Sequence, residues 1–457
     1  MSKQAEIFKK KSEKKAFDLQ HRKTIRFNMS KYDEAFKKGL VQFADLEEAK
    51  KNVARIKQKA LSNLPSYLLE FEKNITKNGA EVLWAKDANE ANEHILRIVK
   101  SNNAKLVVKS KSMTTEEINI NPLLEKHGVE VVETDLGEFI VQVAGEKPYH
   151  IVTPAMHKSK EDVAKLFHEK FGTELNSTPQ ELTEFVRQKL RKKFISADVG
   201  ITGANFLIAD KGAIALTENE GNAVLSMSMP KIHIAVAGIE KMVPELNDMP
   251  YIWPVLSGHG TGQTVTAYNS VIFGPKKASE DNGPEKMYVI LLDNGRSNIY
   301  ENEELYTSLR CIRCGACLNN CPIYRNIGGY TYNTTYSGPI GSVISPRLNG
   351  FEELKHLSYA CTVCGKCTEV CPAKIDLHNL LLINRRDAVQ QGLDKFSWKA
   401  GMKIYKNIFL DRKRLDRLNG NTLNFFAKLS PNAWGKHRSL PKFAKQSFSK
   451  QWKSKNK

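Results

Sequence analysis

All eight cysteines of this 457-residue chain fall in two windows, CIRCGACLNNCPIY from Cys311 to Tyr324 and CTVCGKCTEVCPAK from Cys361 to Lys374. Each reads C-x2-C-x2-C-x3-C-P, a spacing that wraps three thiolates in one loop and sends a fourth elsewhere. Three such thiolates suit three corners of an iron–sulfur cubane, and in two-cluster proteins the fourth cysteine of each run completes the partner cluster. The spacing therefore predicts two [4Fe–4S] clusters with crossed ligation. One rests on Cys311, Cys314, Cys317 and Cys371; the other rests on Cys361, Cys364, Cys367 and Cys321. Gly315 and Gly365 let the backbone turn tightly around the sulfurs, while Pro322 and Pro372 stop each ligand loop from continuing as helix. Structural zinc is the competing chemistry, but zinc fingers present ligand pairs separated by a longer span, not a third cysteine after two residues. Eight thiols grouped this tightly read as a metal site before they read as disulfides.

The windows occupy a minority of the chain, and the rest must position them. Pattern divides the sequence into a helical N-terminal segment (1–75), an α/β domain (76–300), the cluster module (301–394) and a basic tail (395–457). From Ala5 to about Phe71 the chain is Lys- and Glu-rich with apolar residues at helical spacing, as in LEEAKKNVARIKQKALSNL, which predicts helices lying on something larger. Between Ala80 and Gly295 the runs EVLWA, KLVVK, VEVVET, IHIAVAG and MYVILLD read as buried strands. Helix starts stand between them, at Asp87 with Glu90, Thr114 with Glu117, and Thr178-Pro179 with Glu181. Strands alternating with capped helices predict a largely parallel sheet. The 39 residues between Cys321 and Cys361, which include GPIGSV and FEELKHLSYA, leave room for helices as well as loops.

Other residues of the α/β region could bind or react. GITGANF (Gly200 to Phe206) and SGHGTGQT (Ser257 to Thr264) read as Gly- and Thr-rich turns whose N–H groups could face a carboxylate or phosphate, or as ordinary tight turns. Lys109 and Lys111 in KSKSM share a face leading into a helix start, a setting for an organic acid or for a solvated turn. Glu218 and Glu220 lie two apart after a strand-like run and would share a face if the strand persists. His150, His157, His233 and His259 are candidates for proton transfer, and no one of them stands out in the sequence. No catalytic residue is assigned.

Charge is concentrated at the ends. Residues 395–457 hold 17 Lys or Arg against Asp411 and Asp416, and residues 1–40 hold 12 against five acids, leaving −3 of the total +19 for everything between. Basic ends suit nucleic acid, anionic lipid or an acidic partner protein, or simply a solvated tail. No nucleic-acid-binding motif is present, so no nucleic-acid partner is expected. The tail interleaves its cations with Phe396, Trp398, Tyr405, Phe409, Phe425, Phe426, Trp434, Phe443, Phe448 and Trp452, which suits docking at a membrane surface or on a partner. No apolar run approaches the roughly 18–20 residues of a membrane span, and the start MSKQAEIFKKKSEKK is charged where a secretory signal would be apolar. A cytoplasmic setting, with peripheral contact at the inner membrane surface through the tail, is the expectation.

The long gap between the windows resembles the helical two-cluster ferredoxin module of succinate dehydrogenase and heterodisulfide reductase subunits. Beyond it, VVKSKSMTTEEI, ETDLGEFIVQ, GITGANFLIADKGAIALTENEGN, HIAVAGIEK, LLDNGRS and CIRCGACLNNCPIYRNIGGYTY resemble the iron–sulfur B subunit of the bacterial lactate-utilization system, over roughly Arg22 to Arg385. That resemblance implies an LUD domain, similar in fold to sugar-phosphate isomerases and CoA transferases, followed by an all-α ferredoxin domain. It also implies an electron-transfer role in an oxidoreductase complex that turns L-lactate into pyruvate, with a cysteine-rich A subunit and an LUD-type C subunit as partners. CoA transferases carry a catalytic Glu in a Glu-Asn-Gly context, and the order here, Glu-Asn-Glu-Gly, departs from it. The alternative is thus an acyl- or CoA-type transferase or ligase using Glu218 or Glu220, with clusters that are structural or redox-sensing.

Overall fold

The apolar runs become strands of one parallel sheet in the computed structural model, which describes residues 2–394, 396–417, 419–429 and 442–456. In chain order the strands are β1 (Glu81–Ala85), β2 (Leu106–Lys109), β3 (Glu130–Glu133), β4 (Val199–Gly203), β5 (Phe206–Ile208), β6 (Ala213–Glu218), β7 (Ile232–Gly238), β8 (Met242–Val243), β9 (Tyr268–Ile272) and β10 (Lys286–Leu292). The main sheet runs β3-β2-β4-β7-β10-β1, and every neighbouring pair is parallel. Helices cover both faces, so its central strands are apolar on both sides: Ile201 pairs with Ile234, Val236 with Ile290, and all four side chains are buried. Strand order reverses between β2 and β4, because β3 continues to one side and β4, β7 and β10 to the other. The crevice beyond the carboxyl ends of strands at such a switch is where open α/β sheets bind ligands.

GITGANF proves to be mostly strand, with only Ala204 and Asn205 forming the connection between β4 and β5. Gly200 to Gly203 belong to β4 and their backbone groups pair with β2 and β7, so they are not available to an anion. Gly200 is required by packing: a Cβ there would stand 1.7 Å from the carbonyl oxygen of Ser226. The second Gly-rich stretch divides, since Ser257 to Gly260 finish the helix Met249–Gly260. A smaller sheet, β8-β5-β6-β9, lies beside it, and the strand-like run before Glu220 is its strand β6, which ends on Glu218.

Local capping follows the sequence closely. Asp87 accepts the N–H groups of Asn89 and Glu90, while Glu90 accepts that of Lys86. Thr178 and Glu181 form a reciprocal capping box. The helix Met113–Glu117 starts two residues earlier than the sequence predicts: Ser112, not Thr114, caps it, accepting the N–H of Thr115. Four helices, Lys3–Ala16, Leu19–Leu40, Leu46–Ser62 and Leu64–Lys77, precede β1. Their apolar stripes, with Ile25, Met29, Val53, Leu61, Phe71 and Ile75 fully buried, share one core with the smaller sheet and the cysteine module. That module has no strand among its described residues; short helical segments from Tyr306–Arg310 to Leu377–Gln390 carry it. The chain divides into two compact units, Met1–Asp387 and Ala388–Lys457. Within the second, the helices Phe396–Phe409, Arg412–Arg417, Gly420–Leu429 and Phe448–Lys455 expose Phe396, Trp398, Tyr405, Phe448 and Trp452. Trp434 and the side chain of Phe426 lie outside the described residues. Among the described residues no helix is long and apolar enough to cross a membrane.

Candidate functional site

Each cysteine window is built from the same turn. Arg313 (φ +59°) and Val363 (φ +55°) occupy matching left-handed places, followed by Gly315 (φ +80°) and Gly365 (φ +77°), which open the short helices Ala316–Asn319 and Lys366–Glu369. The turn aims backbone N–H groups at sulfur: Arg313 N to Cys311 Sγ at 3.4 Å, Val363 N to Cys361 Sγ at 3.2 Å, and Ile375 N to Cys371 Sγ at 3.4 Å. Left-handed backbone costs a β-branched residue energy, so Val363 marks a place where the surrounding structure fixes the loop.

The eight thiols segregate across the windows. One cavity is lined by Cys311, Cys314 and Cys317 together with Cys371 from the other window, closed by Ile151, Ile340 and Ile375. Cys317 has Cys311, Cys314 and Cys371 as its sulfur neighbours, whereas Cys367 has Cys321, Cys361 and Cys364. Burial first, then these neighbours, push the thiols up: Cys321 and Cys371 to about 11 and Cys367 to about 12. Thiols crowded in this way hold their protons until cations displace them, and all eight are free of disulfides. The donor set, the cavity and the inward N–H groups fit a multi-iron centre.

A ladder of buried charge joins the first window to the sheet. Arg296, directly after β10, donates to both oxygens of Glu117 at 2.9 and 2.7 Å and to Glu240 at 2.5 Å. Arg313 donates to the other oxygen of Glu240 at 3.2 Å and lies over the Tyr336 ring, whose hydroxyl donates to Glu117 at 2.6 Å. Burial alone would raise Glu240, but Arg296 and Arg313 hold it at about 2. Lys57 donates to the carbonyls of Glu240 and Met242 at 2.7 and 2.8 Å. Burial lowers Lys57 to about 7 and Lys241 to about 8. Of these residues the sequence had marked only Glu117, as the acid of a helix start; for Glu240, Lys241 and Arg296 the signal available was their place just past β7 and β10.

At the β2/β4 switch the structure gathers other residues that the sequence had named separately. Lys109 is fully buried, 2.8 Å from Glu133 and 3.1 Å from Glu116. Glu138, buried beside Glu133, is held well above the carboxylate range by burial and by that neighbour. Lys111 lies 3.6 Å from Asp135 and donates to the carbonyl of Val152 at 2.9 Å; burial lowers it, but Asp135, Glu138 and Glu220 raise it overall. Glu218 is not a poised nucleophile, for its two oxygens accept the N–H groups of Ala223 and Val224 at 2.7 and 2.8 Å and cap a short helix. Glu220 is exposed. The four histidines do not converge. His233 Nε2 meets Thr202 Oγ1 at 2.8 Å inside the sheet, His259 Nδ1 meets the carbonyl of Val255 at 2.8 Å, and His157 Nε2 meets Glu146 at 2.7 Å. His150 Nδ1 accepts from the N–H of Val152 at 3.0 Å. Burial lowers all four, His150 to about 3 and His233 and His259 to about 4.

Fold and site together define an LUD α/β domain joined to an iron–sulfur module. Residues 68–292 match the family described as LUD domain, and residues 307–375 match the 4Fe-4S dicluster domain. The chain is 44% identical over 390 residues to Lactate utilization protein B of Geobacillus thermodenitrificans, covering 85% of this chain and 80% of that protein. It is 46% identical over 365 residues to the protein of the same name from Bacillus cytotoxicus, covering 80% and 77%. Similarity extends to the Uncharacterized electron transport protein YkgF of Escherichia coli, at 42% identity over 359 residues and coverage of 79% and 75%. The chain belongs to the lactate utilization protein B family.

Proposed function

We propose that this chain is the electron-transfer subunit of a complex that oxidises L-lactate to pyruvate, carrying two [4Fe–4S] clusters. Cys311, Cys314, Cys317 and Cys371 hold one; Cys361, Cys364, Cys367 and Cys321 hold the other. The observation that carries this reading is the cavity in which a cysteine of the second window joins three of the first. Each cluster, when bound, supplies a one-electron carrier. The protein's part is to deliver thiolates, direct backbone N–H groups at them, and exclude water from the first window, where Cys314 and Cys317 are buried. The family name supports lactate utilization, and the name of the Escherichia coli relative supports electron transport. A cysteine-rich A subunit and an LUD-type C subunit are the proposed partners.

The transferase alternative gains nothing from Glu218, whose oxygens cap a helix. Lys111, partly exposed at the switch crevice, is better suited to a carboxylate. Anaerobic mixing of the complex with L-lactate should bleach the cluster absorbance; clusters that stay oxidised while all three subunits are present would count against lactate oxidation. The basic tail is proposed to make peripheral contact with the inner face of the membrane, each Lys or Arg near an anionic surface contributing about 1 kcal/mol. Truncation after Gln391 should abolish salt-sensitive sedimentation with anionic liposomes, and unchanged sedimentation would refute the contact.

A further inference from the structure

The two windows sit in unequal electrostatic surroundings. Around the first, the side chains of Lys57, Lys241, Arg296 and Arg313 are buried or nearly so, opposed by the buried carboxylates of Glu117 and Glu240 alone. The cations outnumber the carboxylates. Arg296 is fully engaged by the carboxylates and Lys57 by two carbonyls, so the excess resides on Arg313 and Lys241. Arg313 lines the cavity of Cys311, Cys314, Cys317 and Cys371, and its Nε and Nη1 are buried donors without partners. Lys241 has no ion-pair partner among the described residues. In the second window Val363 takes the place of Arg313, and Cys364 is exposed. The cations at that window are exposed or compensated: Lys366 is exposed, Lys374 and Lys50 share Glu47, and Arg385 donates to the carbonyls of Ser358 and Cys361 and lies 5.4 Å from the centre of the Tyr359 ring.

Taking up an electron adds negative charge to a centre already anionic on four thiolates. Burial opposes that addition, while nearby cations and N–H donors favour it. In the first window the two effects compete, and the cations prevail because an uncompensated charge within a low-dielectric interior acts with little screening. A guanidinium cannot escape by losing its proton. We propose that Arg313, reinforced by Lys241, gives the first window the higher reduction potential of the two, making it the electron sink of the module. This rests on the reading that both windows hold clusters, and it adds an order between them.

The test is an EPR-monitored redox titration of the anaerobically purified full chain, with iron counted in the same sample. Arg313→Val copies the second window and should move the higher of the two midpoints to more negative values, leaving the lower one in place. Val363→Arg should move the lower midpoint to more positive values. Lys241→Met should shift the higher midpoint in the same direction as Arg313→Val, by less. Full iron content in Arg313→Val with both midpoints unmoved, or with the lower midpoint moved instead, overturns the proposal. Should Arg313→Val lose iron, Lys241→Met decides, and an unmoved higher midpoint there overturns it as well. Iron insufficient for two clusters in the unmodified protein is a separate result, which refutes the two-cluster reading itself.

Discussion

Arg313 and Gly315 in the first cysteine window turn at φ +59° and +80°, and Val363 and Gly365 in the second turn at +55° and +77°. The surroundings share no such likeness. The first window is fastened to the sheet by the buried ladder Glu117, Arg296, Glu240 and Arg313, while the second is fastened to the helix Leu46–Ser62 by Lys374 on the surface carboxylate of Glu47 and by Lys50 on the carbonyl of Glu369. Ligation constrains the backbone wherever three thiolates must face one centre, so that part repeats. What surrounds the turn is not so constrained, and there the two halves diverge into one embedded and one exposed site.

The largest expected effect tests whether the windows are separate at all. Cys371→Ser should remove iron from the first-window site although the substitution lies in the second window, because Cys371 lines the first cavity. Iron analysis with low-temperature EPR reads the result, and loss confined to the Cys361 site would show that ligation is not crossed.

Next in size is the buried ladder. Arg296→Met leaves Glu117 and Glu240 without their principal counter-charge inside the protein, a change that costs about 3–5 kcal/mol in comparable buried pairs. Denaturant unfolding of the full chain should show that loss, with the first-window EPR signal depleted before the second. Equal depletion of both signals would mean that the ladder supports the module as a whole.

Much of this was legible in the sequence because the signals were local. The strands from EVLWA to MYVILLD are runs long and apolar enough to announce themselves, and Asp87 and Thr178 cap helices through residues two or three positions away. The cysteine pattern is local too. By contrast, Gly200 looked like a turn residue because glycine in a central strand is explained only by the Ser226 carbonyl, 26 positions later in sequence. The ladder was invisible for the same reason. Glu117, Glu240, Arg296 and Arg313 come from four separate segments, and a charged residue in isolation reads as solvated surface. Lys109 and Lys111 were noticed, but their division into a buried ion pair and a partly exposed cation depends on Glu133 and Asp135 across the sheet.

A smaller effect separates strain from packing in the repeated turn. Val363→Gly removes a β-branched side chain from left-handed backbone and should stabilise the full chain by about 1 kcal/mol, less the added freedom of glycine in the unfolded chain. Arg313→Gly, at the matching place, should destabilise, since it also removes the contacts to Glu240 and Tyr336. Destabilisation by both substitutions would show that the Val363 side chain contributes packing that exceeds its strain.

The smallest effect belongs to the surface fastening of the second window. Lys374 and Lys50 hold Glu47 at about 2, with Lys374 the larger influence. A carboxyl lowered on folding contributes stability above its unfolded value and loses it as pH falls toward the folded one, because the unfolded chain binds the proton more readily in that interval. The window here runs from about pH 4.5 down to about 2. Glu47 is 58% exposed, so solvent and salt screen most of this, and Glu47→Gln should cost under about 1 kcal/mol at neutral pH. The acid limb of the unfolding curve should flatten slightly in the variant, and the difference from the unmodified chain should fade in high salt. A cost at pH 7 equal to that of Arg296→Met would break the contrast between an embedded first window and an exposed second one.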